Sequence, residues 1–534
     1  MDAETVGRPG TPSLLRAIND RTALRLLAER GPLSRTQIGA LAGLSKPTAS
    51  QLMDRLEAAG LVEPVPEPDP EVVQTARTQF HAHGTRSADG TQPPVGSEPE
   101  QSGGPSAAAV PGTPGRVARL YRLRGAAAHV AGLDVASSRI EVRICDLTGR
   151  EVGRTTLPTP GRAAASAIDR VREALTQAAD SAGIPLAALH HVVIGIGGAL
   201  DPTTGRLGFA RHLPGWHEPD LLHRLRTELT GPGLPNPRVD VENDVNLAAV
   251  AEQAVGVAAS GESLPGETPS GETASGGLAG EDGGLLHDPF GSESGVLQAR
   301  AAAGKRKRTT VRLAAEVPDA AAPNAAHTDL PQSVRDFAVL WIADGIGAAV
   351  IIDGKLHRGA TGGAGEVGYM PMPGAPLVRT IGRGTTGGFQ SLAGAPAVIK
   401  LARQHGVPGS EAHTVVARAV RFATEQPGRG ESGAARQEGA RRMLAELADR
   451  LAAGLAPIVA VLDPEMIVLT GAVLRAGGEP LRRRIAEALH GMAIPRPRLV
   501  VSAVADNPVL AGAIHAALAA TREAVFSGTV PPAV

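Results

Sequence analysis

Apolar residues recur at helical spacing in three stretches near the start of the chain, and short polar turns separate the stretches. The first stretch predicts a helix over residues 14–30, which Gly31 and Pro32 end. The second predicts a short helix over residues 35–42, and the third a helix from about residue 46 to residue 59. Two short helices joined by a tight turn are typical of a helix-turn-helix.

Capping signals indicate where the second and third helices begin. Ser34 is followed three residues later by Gln37, which is the pattern of a capping box. Ser45 precedes the third helix, and Pro47 lies in its first turn, where the missing N–H costs nothing. The third helix therefore fits the role of a DNA recognition helix.

Two strand-like segments flank a long polar stretch after the third helix. Residues 61–63 predict a first wing strand, and residues 116–124 alternate basic and apolar side chains as a second one. Their pairing would make residues 12–63 a winged helix-turn-helix whose wing loop is enlarged by residues 64–115. The second strand would add four positive charges to the domain, from Arg116, Arg119, Arg122 and Arg124.

The remainder of the chain alternates strand-like and helix-like segments. Strands are predicted in VAGLDVA, RIEVRICDL, HHVVIGIGG, VDVENDV, FAVLWIADGIGAAVIIDG and EMIVLTG. Amphipathic helices are predicted between them, as in AAASAIDRVREALTQAADSAG. This alternation over residues 128–256 and 335–524 predicts an α/β fold.

Two segments lack periodic apolar positions. Residues 64–115 and 257–334 are rich in Gly, Pro, Ser, Glu and Ala, so they cannot bury enough surface to offset the entropy of ordering. We expect both to be disordered insertions. The basic run at 305–308 in the second segment fits a solvated loop, with contact to DNA phosphate as the alternative.

Composition narrows the class of protein further. The chain has 534 residues, a net charge of −1 and a single cysteine, Cys145, which excludes an intrachain disulfide and a multi-cysteine zinc site. The N-terminus is polar, and no apolar run predicts a membrane span. We therefore expect a cytoplasmic protein without a membrane partner.

Operator DNA is the partner that the N-terminal domain predicts. Residues 12–63 carry seven basic and five acidic residues, a modest excess that the wing would increase. A small helical docking module is the alternative interpretation. The side chains predicted to meet bases or phosphates are Ser34, Arg35, Thr36, Ser45, Lys46, Thr48, Ala49, Gln51 and Arg55.

Six motifs in the rest of the chain carry a family resemblance. They are GLDVASSRIEVRICDLTGREV (132–152), GIGGALDPTTG (195–205), HLPGW (212–216), VENDVNLAAVAE (241–252), ADGIGAAVIIDGKLHRGATGGAGEVGYMP (343–371) and IVLTGAVL (467–474). Their order and spacing resemble the ROK family of repressors, open reading frames and sugar kinases, in its regulator branch with an N-terminal winged helix-turn-helix. The resemblance implies a two-lobed, actin-like ATPase (sugar kinase-like) domain with a cleft between the lobes.

The resemblance also implies a nucleotide site, which this sequence has partly lost. The family's first phosphate loop carries two glycines and a threonine, whereas residues 134–138 read DVASS. Asp344 replaces the small hydroxyl residue of the second loop, and a carboxylate there would repel a triphosphate. Thr470 and Ala472 flank the glycine of the adenosine motif. We expect no ATP binding and no cofactor.

The sugar site of the family is better preserved. Asn243 and Asp244 match the residues that bind sugar hydroxyls, and Asp244 stands where the kinases have their general base. Glu366 matches a further sugar contact, and Tyr369 replaces a histidine that contacts both sugar and zinc in relatives. His212 lies near the position of another contact, an asparagine. The predicted sugar-binding residues are thus Asn243, Asp244, Glu366 and Tyr369.

The family's zinc site is absent from this sequence. Tyr369 stands at the histidine position, and Ile381, Arg383 and Gly388 stand at the cysteine positions. Gln390 replaces a nearby glutamate. We therefore expect no bound metal.

Together these features predict a transcription regulator of carbohydrate metabolism, a repressor that binds operator DNA as a homodimer or homotetramer and responds to a sugar or sugar phosphate. On this hypothesis kinase activity is lost, and the position of Asp244 is vestigial. Two alternatives remain open at this point. One is an ATP-dependent, glucokinase-like sugar kinase, and the other is a ligand-independent regulator whose kinase-like domain serves only for oligomerisation.

Overall fold

The N-terminal part of the chain folds as a winged helix. A computed structural model describes residues 12–65, 119–159, 167–200, 207–208, 216, 221–229, 237–256, 334–378, 387–425 and 431–528, all of which belong to one compact unit. Its first elements are α1 (Pro12–Arg30), β1 (Leu33–Ser34), α2 (Arg35–Leu41), α3 (Lys46–Ala58), β2 (Val62–Pro64) and β3 (Leu120–Leu123). The three strands form an antiparallel sheet in the order β1-β3-β2.

The predicted pairing of the two wing strands is present. Val62 is opposite Leu123, and the amide of Val65 donates to the carbonyl oxygen of Leu120. Pro64 is part of β2, so the predicted start of the first insertion at residue 64 falls inside a strand and is wrong by at least two residues. Most of both predicted insertions, and Arg116 with the basic run at 305–308, lie outside the described residues.

A five-stranded mixed sheet forms the first lobe of the following domain. Its strands are β4 (His129–Val135), β5 (Arg139–Asp146), β6 (Glu151–Pro158), β7 (Leu189–Ile196) and β10 (Arg238–Asn243), in the order β10-β7-β4-β5-β6. A small hairpin lies between β7 and β10, formed by β8 (Ala199–Leu200) and β9 (Leu207–Gly208). The helices described in this lobe are α4 (Ala167–Ala182), α5 (Leu221–Leu229) and α6 (Asp244–Val255).

Both faces of the two central strands, β4 and β7, are buried, which explains why these strands are almost continuously apolar. Alternate residues of β4, such as Leu133, pack against α4 and α5, whereas Val130 packs on the opposite face with Leu247 of α6. Val509 and Ile514 of a helix described below also pack on that second face.

The second lobe is built on another five-stranded sheet. Its strands are β11 (Phe337–Ile342), β12 (Ile346–Ile352), β13 (Lys355–Leu356), β14 (Met466–Thr470) and β15 (Arg498–Val501), in the order β13-β12-β11-β14-β15. Its helices are α7 (Gln390–Ala393), α8 (Ala395–Gln404), α9 (Ala412–Thr424), α10 (Glu431–Leu462) and α11 (Ala472–His490). The α/β fold predicted from the alternating segments is confirmed.

One further helix, α12 (Pro508–Phe526), returns from the second lobe to the first. By length and composition alone it could cross a membrane, and among the described helices it alone meets that test. More than half of the helix is buried, however, and it packs against β4, β7 and α6. Its apolar character is therefore that of a core helix.

Candidate functional site

The recognition helix α3 presents a polar face to solvent. The Ser45 side chain accepts a hydrogen bond from the Thr48 backbone N–H at 3.4 Å and shares a second with the Thr48 hydroxyl at 2.8 Å, so the start of the helix is fixed. Lys46 has no ion-pair partner in the described part of the chain. Six of the predicted DNA-contacting side chains are exposed: Thr36, Ser45, Lys46, Thr48, Gln51 and Arg55.

Two predicted DNA contacts need correction because their side chains are buried. Ala49 is 1% exposed and packs against Gly39, where α2 and α3 approach each other closely. Ser34 is 6% exposed, and its hydroxyl oxygen accepts a hydrogen bond from the Gln37 backbone N–H in the capping box. Neither side chain can reach a base in this conformation. Sequence spacing placed Ala49 on α3 correctly, but the prediction that it lies on the outer face of the helix is wrong.

Arg35 also differs from its predicted role, because its donors are used inside the domain. Its guanidinium donates to the Tyr121 hydroxyl at 2.6 and 3.1 Å, to the Ser50 hydroxyl at 2.8 Å and to the Asp54 carboxylate at 2.5 Å. Burial alone would lower the pKa of Arg35, but bonding to Tyr121 and Asp54 raises it. Arg35 thus connects α2, α3 and the wing strand β3.

The other basic residues near the recognition helix are largely neutralised by acids of the same domain. Arg55 pairs with Asp20 at 2.5 Å. In the wing, Arg119 lies 3.5 Å from the Glu57 carboxylate, and Arg122 lies 2.8 Å from that of Glu63. The positive charge predicted for the wing is therefore smaller than the count of arginines suggests.

A cleft of about 1050 Å³ opens between the two sheets. It is lined by the end of β4, the β10–α6 junction, the hairpin between β11 and β12, the loop before Tyr369 and the starts of α11 and α12. All four predicted sugar-binding residues lie here together: Asn243, Asp244, Glu366 and Tyr369. His212 is outside the described residues.

Asn243 lines the cleft as the N-cap of α6. Its amide oxygen accepts from the backbone N–H groups of Val245 at 2.9 Å and Asn246 at 3.1 Å, and its Nδ2 donates to the carbonyl of Gly198 at 3.0 Å. Because capping uses the side-chain oxygen, a ligand can receive only the remaining N–H of this amide. The sequence indicated a sugar contact but not this structural role.

Two carboxyl groups in the cleft have strongly perturbed acidity. Burial raises the pKa of Asp244 to about 6, and the charge of Asp134 adds to the effect. Burial likewise raises the pKa of Glu366 to about 6, with a contribution from the charge of Asp244. Near pH 6 these groups can therefore be neutral donors or charged acceptors, which suits the hydroxyl groups of a polyol.

The loop that carries Glu366 is held against β12. The Ala348 amide donates to the carbonyl of Gly365 at 2.8 Å, and Gly365 has a φ of 93°. A Cβ at this residue would lie 1.9 Å from the Ala348 oxygen, so only glycine fits. Gln390, the predicted replacement of a family glutamate, accepts from the Ile346 amide at 2.8 Å and so fixes the neighbouring hairpin.

Tyr369 and Gly388 are the two positions matching the family's zinc ligands that lie in the described ranges. They are close together, since a Cβ on Gly388 would lie 2.9 Å from the Tyr369 carbonyl carbon. Ile381 and Arg383 are outside the described residues. Within the described ranges, no group of three His, Cys, Asp or Glu side chains could hold a metal ion.

The cleft is rich in carboxylates. Asp134 is 9% exposed; burial raises its pKa, and Asn507 donates to it from Nδ2 at 2.7 Å. Arg475 donates across the cleft wall to the carbonyl of Ala505 at 3.1 Å. The carboxylates lining the cleft are Asp134, Glu141, Asp244, Asp344, Glu366 and Asp506, and the guanidinium groups lining it are those of Arg139 and Arg475. Glu141 and Asp506 are ion-paired with arginines, so the other four carboxylates are the ones that make the cleft unfavourable for a triphosphate.

Asn507 is a cleft residue that the sequence analysis missed. The pair Asn507-Pro508 before an apolar run is the signature of a helix start, and it could have revealed the N-cap of α12. It could not have revealed the bond to Asp134, which lies 373 residues away in the chain.

Comparison with known proteins gives two matches within the chain. Residues 130–264 and 304–521 match the ROK family, and residues 18–71 match the MarR family. The solved structure of a ROK family transcriptional regulator, a homolog of the E. coli MLC protein, superposes with a TM-score of 0.56 over 97% of this chain and 100% of that one. At 14% identity, that likeness concerns the fold.

Curated relatives include both kinases and a repressor. The bifunctional enzyme NanE/NanK of Brucella melitensis is 34% identical over 35% of this chain and 31% of its own length. The N-acetylmannosamine kinase of Salmonella paratyphi A is 30% identical over 37% of this chain and 58% of the kinase. The xylose repressor of Caldicellulosiruptor bescii is 29% identical over 34% of this chain and 45% of the repressor. The chain thus spans less than two thirds of each.

Proposed function

This chain belongs to the ROK family, and from that premise we propose that it is a DNA-binding transcription regulator, a repressor whose affinity for its operator changes when a sugar binds in the cleft. The observation that carries the proposal is the recognition helix α3, which is capped at Ser45 and exposes Lys46, Thr48 and Gln51. These side chains supply donors and acceptors of the kind that read the major groove. The match of residues 18–71 to the MarR family and the named xylose repressor support this assignment.

The charge of the cleft favours an unphosphorylated sugar over a sugar phosphate. Asp134, Asp244 and Glu366 all face the same volume, so a phosphate there would experience repulsion from every ionised carboxylate. A neutral polyol avoids this penalty and can donate its hydroxyl protons to these groups. No metal or cofactor is part of the proposal.

A sugar kinase is the second candidate, and one observation favours it. Asp244 matches the position of the kinase base. Its pKa, raised to about 6, is close to neutral pH, and a general base is most effective when its pKa lies near the working pH. The carboxylates that line the cleft oppose it, because they would repel the phosphates of ATP. We therefore propose a regulator without kinase activity, acting as a homodimer or homotetramer in the cytoplasm, since a winged helix normally reads two half-sites.

The test is fluorescence anisotropy of the full chain on the DNA upstream of its own gene, at fixed salt, with sugars and sugar phosphates added singly. We expect tight binding that one unphosphorylated sugar weakens and that its phosphate does not. Asp244→Asn should abolish the response to the sugar, and the exposed control Asp449→Asn should retain it. Binding no tighter than to random DNA would refute the regulator for that promoter. Tight binding that no sugar changes would support the ligand-independent alternative, and ATP-dependent phosphorylation of a sugar would support the kinase.

A further inference from the structure

The helix α12 begins in the ligand cleft. Its N-cap residue Asn507 accepts from the backbone N–H groups of Val509 at 3.1 Å and Leu510 at 3.2 Å. The same side chain donates from Nδ2 to the carboxylates of Asp134 at 2.7 Å and Glu141 at 3.2 Å. The start of α12 is therefore bound directly to a carboxylate that lines the cleft.

The other end of α12 lies in the winged helix. Val525 and Phe526 are 3% and 6% exposed, and they belong to the same hydrophobic core as Leu24, Leu27 and Leu123 of the DNA-binding domain. Glu523 forms ion pairs with two arginines of α1, Arg21 and Arg25, the latter at 3.1 Å. The helix thus contributes both apolar and charged contacts to the domain that carries the recognition helix.

Between its ends, α12 is packed too closely to bend independently of its neighbours. A Cβ on Gly512 would lie 1.8 Å from the carbonyl oxygen of Leu247, so the backbones of α12 and α6 are in direct contact. The side chains of Ala513 and Ile514 likewise pack closely on Gly132 of β4, where a Cβ would lie 3.0 to 3.1 Å from their atoms. With 19 residues the helix is about 28 Å long, which is the distance over which it joins cleft and winged helix.

We infer that α12 transmits the state of the cleft to the winged helix, with Asn507 as the residue that senses the ligand and Glu523 as a residue that positions α1. The inference rests on the proposed function, whose coupling between sites it assigns to one element. A ligand hydroxyl that donates to Asp134 competes with the Asn507 amide for the same acceptor. Loss of that bond releases the start of α12, and the closely packed helix then shifts as a unit against α1.

The antiparallel strands β4 and β5 also run between the two sites. Ala128 and Leu147, next to one end of each strand, belong to the winged-helix core, and Asp134 and Glu141 line the cleft. Each strand is hydrogen-bonded on both sides, β4 to β5 and β7 and β5 to β4 and β6, so neither can move without the whole sheet. Helix α12 lies on the face of that sheet and contacts α1 through the side chains of Glu523, Val525 and Phe526. This makes α12 the better candidate for a two-state element.

The first test needs neither DNA nor sugar. Hydrogen exchange is measured by mass spectrometry on the full chain and on Asn507→Ser, in which serine keeps the N-cap but is too short to bond Asp134. We expect exchange to become at least about 5-fold faster in residues 23–27 of α1 and in the last turn of α12, a size typical of coupled sites. The control is Asp449→Asn, a substitution of an exposed residue of α10 that does not line the cleft. It should leave α1 unchanged. Changes confined to the cleft loops in Asn507→Ser would overturn the inference.

A second test measures the coupling in DNA binding, by a double-mutant cycle of Asn507→Ser and Glu523→Gln. Glutamine keeps the shape of residue 523 and removes the charge that faces Arg21 and Arg25. Independent sites this far apart change affinity additively, to within about 2-fold. We expect a deviation of more than about 3-fold, and additive effects would refute the coupling. If the wild type binds no operator, the regulator proposal fails, and the exchange measurement still decides whether α12 connects the two sites.

Discussion

Replacing Arg35 by glutamine tests whether this residue stabilises the winged helix or contacts DNA. On the sequence, Arg35 is a DNA contact; in the structure its guanidinium bonds to Tyr121, Ser50 and Asp54. Arg35→Gln would leave the Tyr121 hydroxyl, in a residue only 1% exposed, without its donor. Losing two hydrogen bonds from a charged donor costs about 2–4 kcal/mol, and the pair with the 60% exposed Asp54 adds at most about 1 kcal/mol.

The assay separates stability from DNA contact. Native-state hydrogen exchange of the buried amides of Leu52 and Met53 gives the free energy of opening of the winged helix itself, and it should fall by about 2–4 kcal/mol in Arg35→Gln. The salt dependence of operator affinity should keep its wild-type slope, because no phosphate contact is lost. Lys46→Gln is the matched control: its opening free energy should stay within about 0.5 kcal/mol, and its slope should decrease by about 0.9.

The opposite pattern in Arg35→Gln would refute this reasoning. An unchanged opening free energy together with a slope reduced by about 0.9 would mean that Arg35 contacts a phosphate, as the sequence alone suggests. Its bonds to Tyr121 and Ser50 would then be features of the unbound protein that DNA replaces.

Three further predictions follow from the cleft and the core. The raised pKa of Asp244, about 6, means that the folded state holds its proton more tightly than the unfolded chain does; its ionisation therefore removes stability as pH rises from about 4 to about 6, and Asp244→Asn should raise the melting temperature at pH 7.5 but not at pH 4. A variant whose melting temperature equals that of the wild type at both pH values would contradict this. Gly365→Ala should abolish the sugar response, because the added Cβ would overlap the Ala348 oxygen and displace Glu366. Operator affinity in the absence of sugar should stay within about 2-fold of the wild type. Anisotropy with operator DNA and calorimetry with the sugar measure the two effects. Cys145 is 2% exposed and burial raises its pKa to about 12, so the native chain should resist a thiol reagent that labels it fully in denaturant, and rapid native labelling would disprove the burial.

The sequence was sufficient wherever structure depends on neighbouring residues. The caps at Ser34 and Ser45 and the apolar run of β4 are local patterns, and each led to the correct element. It was insufficient wherever a side chain's partner is distant in the chain. The bond from Arg35 to Tyr121 spans 86 residues and that from Asn507 to Asp134 spans 373, and no periodicity in the sequence reports such a contact.

The same limit applied within single elements. Ala49 lies in the predicted helix α3, but its side chain is buried, because α2 packs closely against it at Gly39. Asn243 was identified as polar and well placed, yet its amide oxygen is used by the start of α6. Spacing thus located the candidate sites, while the availability of each donor and acceptor was set by tertiary packing.

The shared core of α1 and α12 has a consequence for biosynthesis. Leu24 and Phe526 pack in one cluster although about 500 residues separate them in the chain. At about 5–20 residues per second, a ribosome takes tens of seconds to translate that interval. During that time the winged helix lacks Val525, Phe526 and the carboxylate of Glu523, so its core stays incomplete until the cleft domain has been made. On the proposed function, a nascent or truncated chain would therefore bind the operator more weakly than the full chain until its cleft domain has been made.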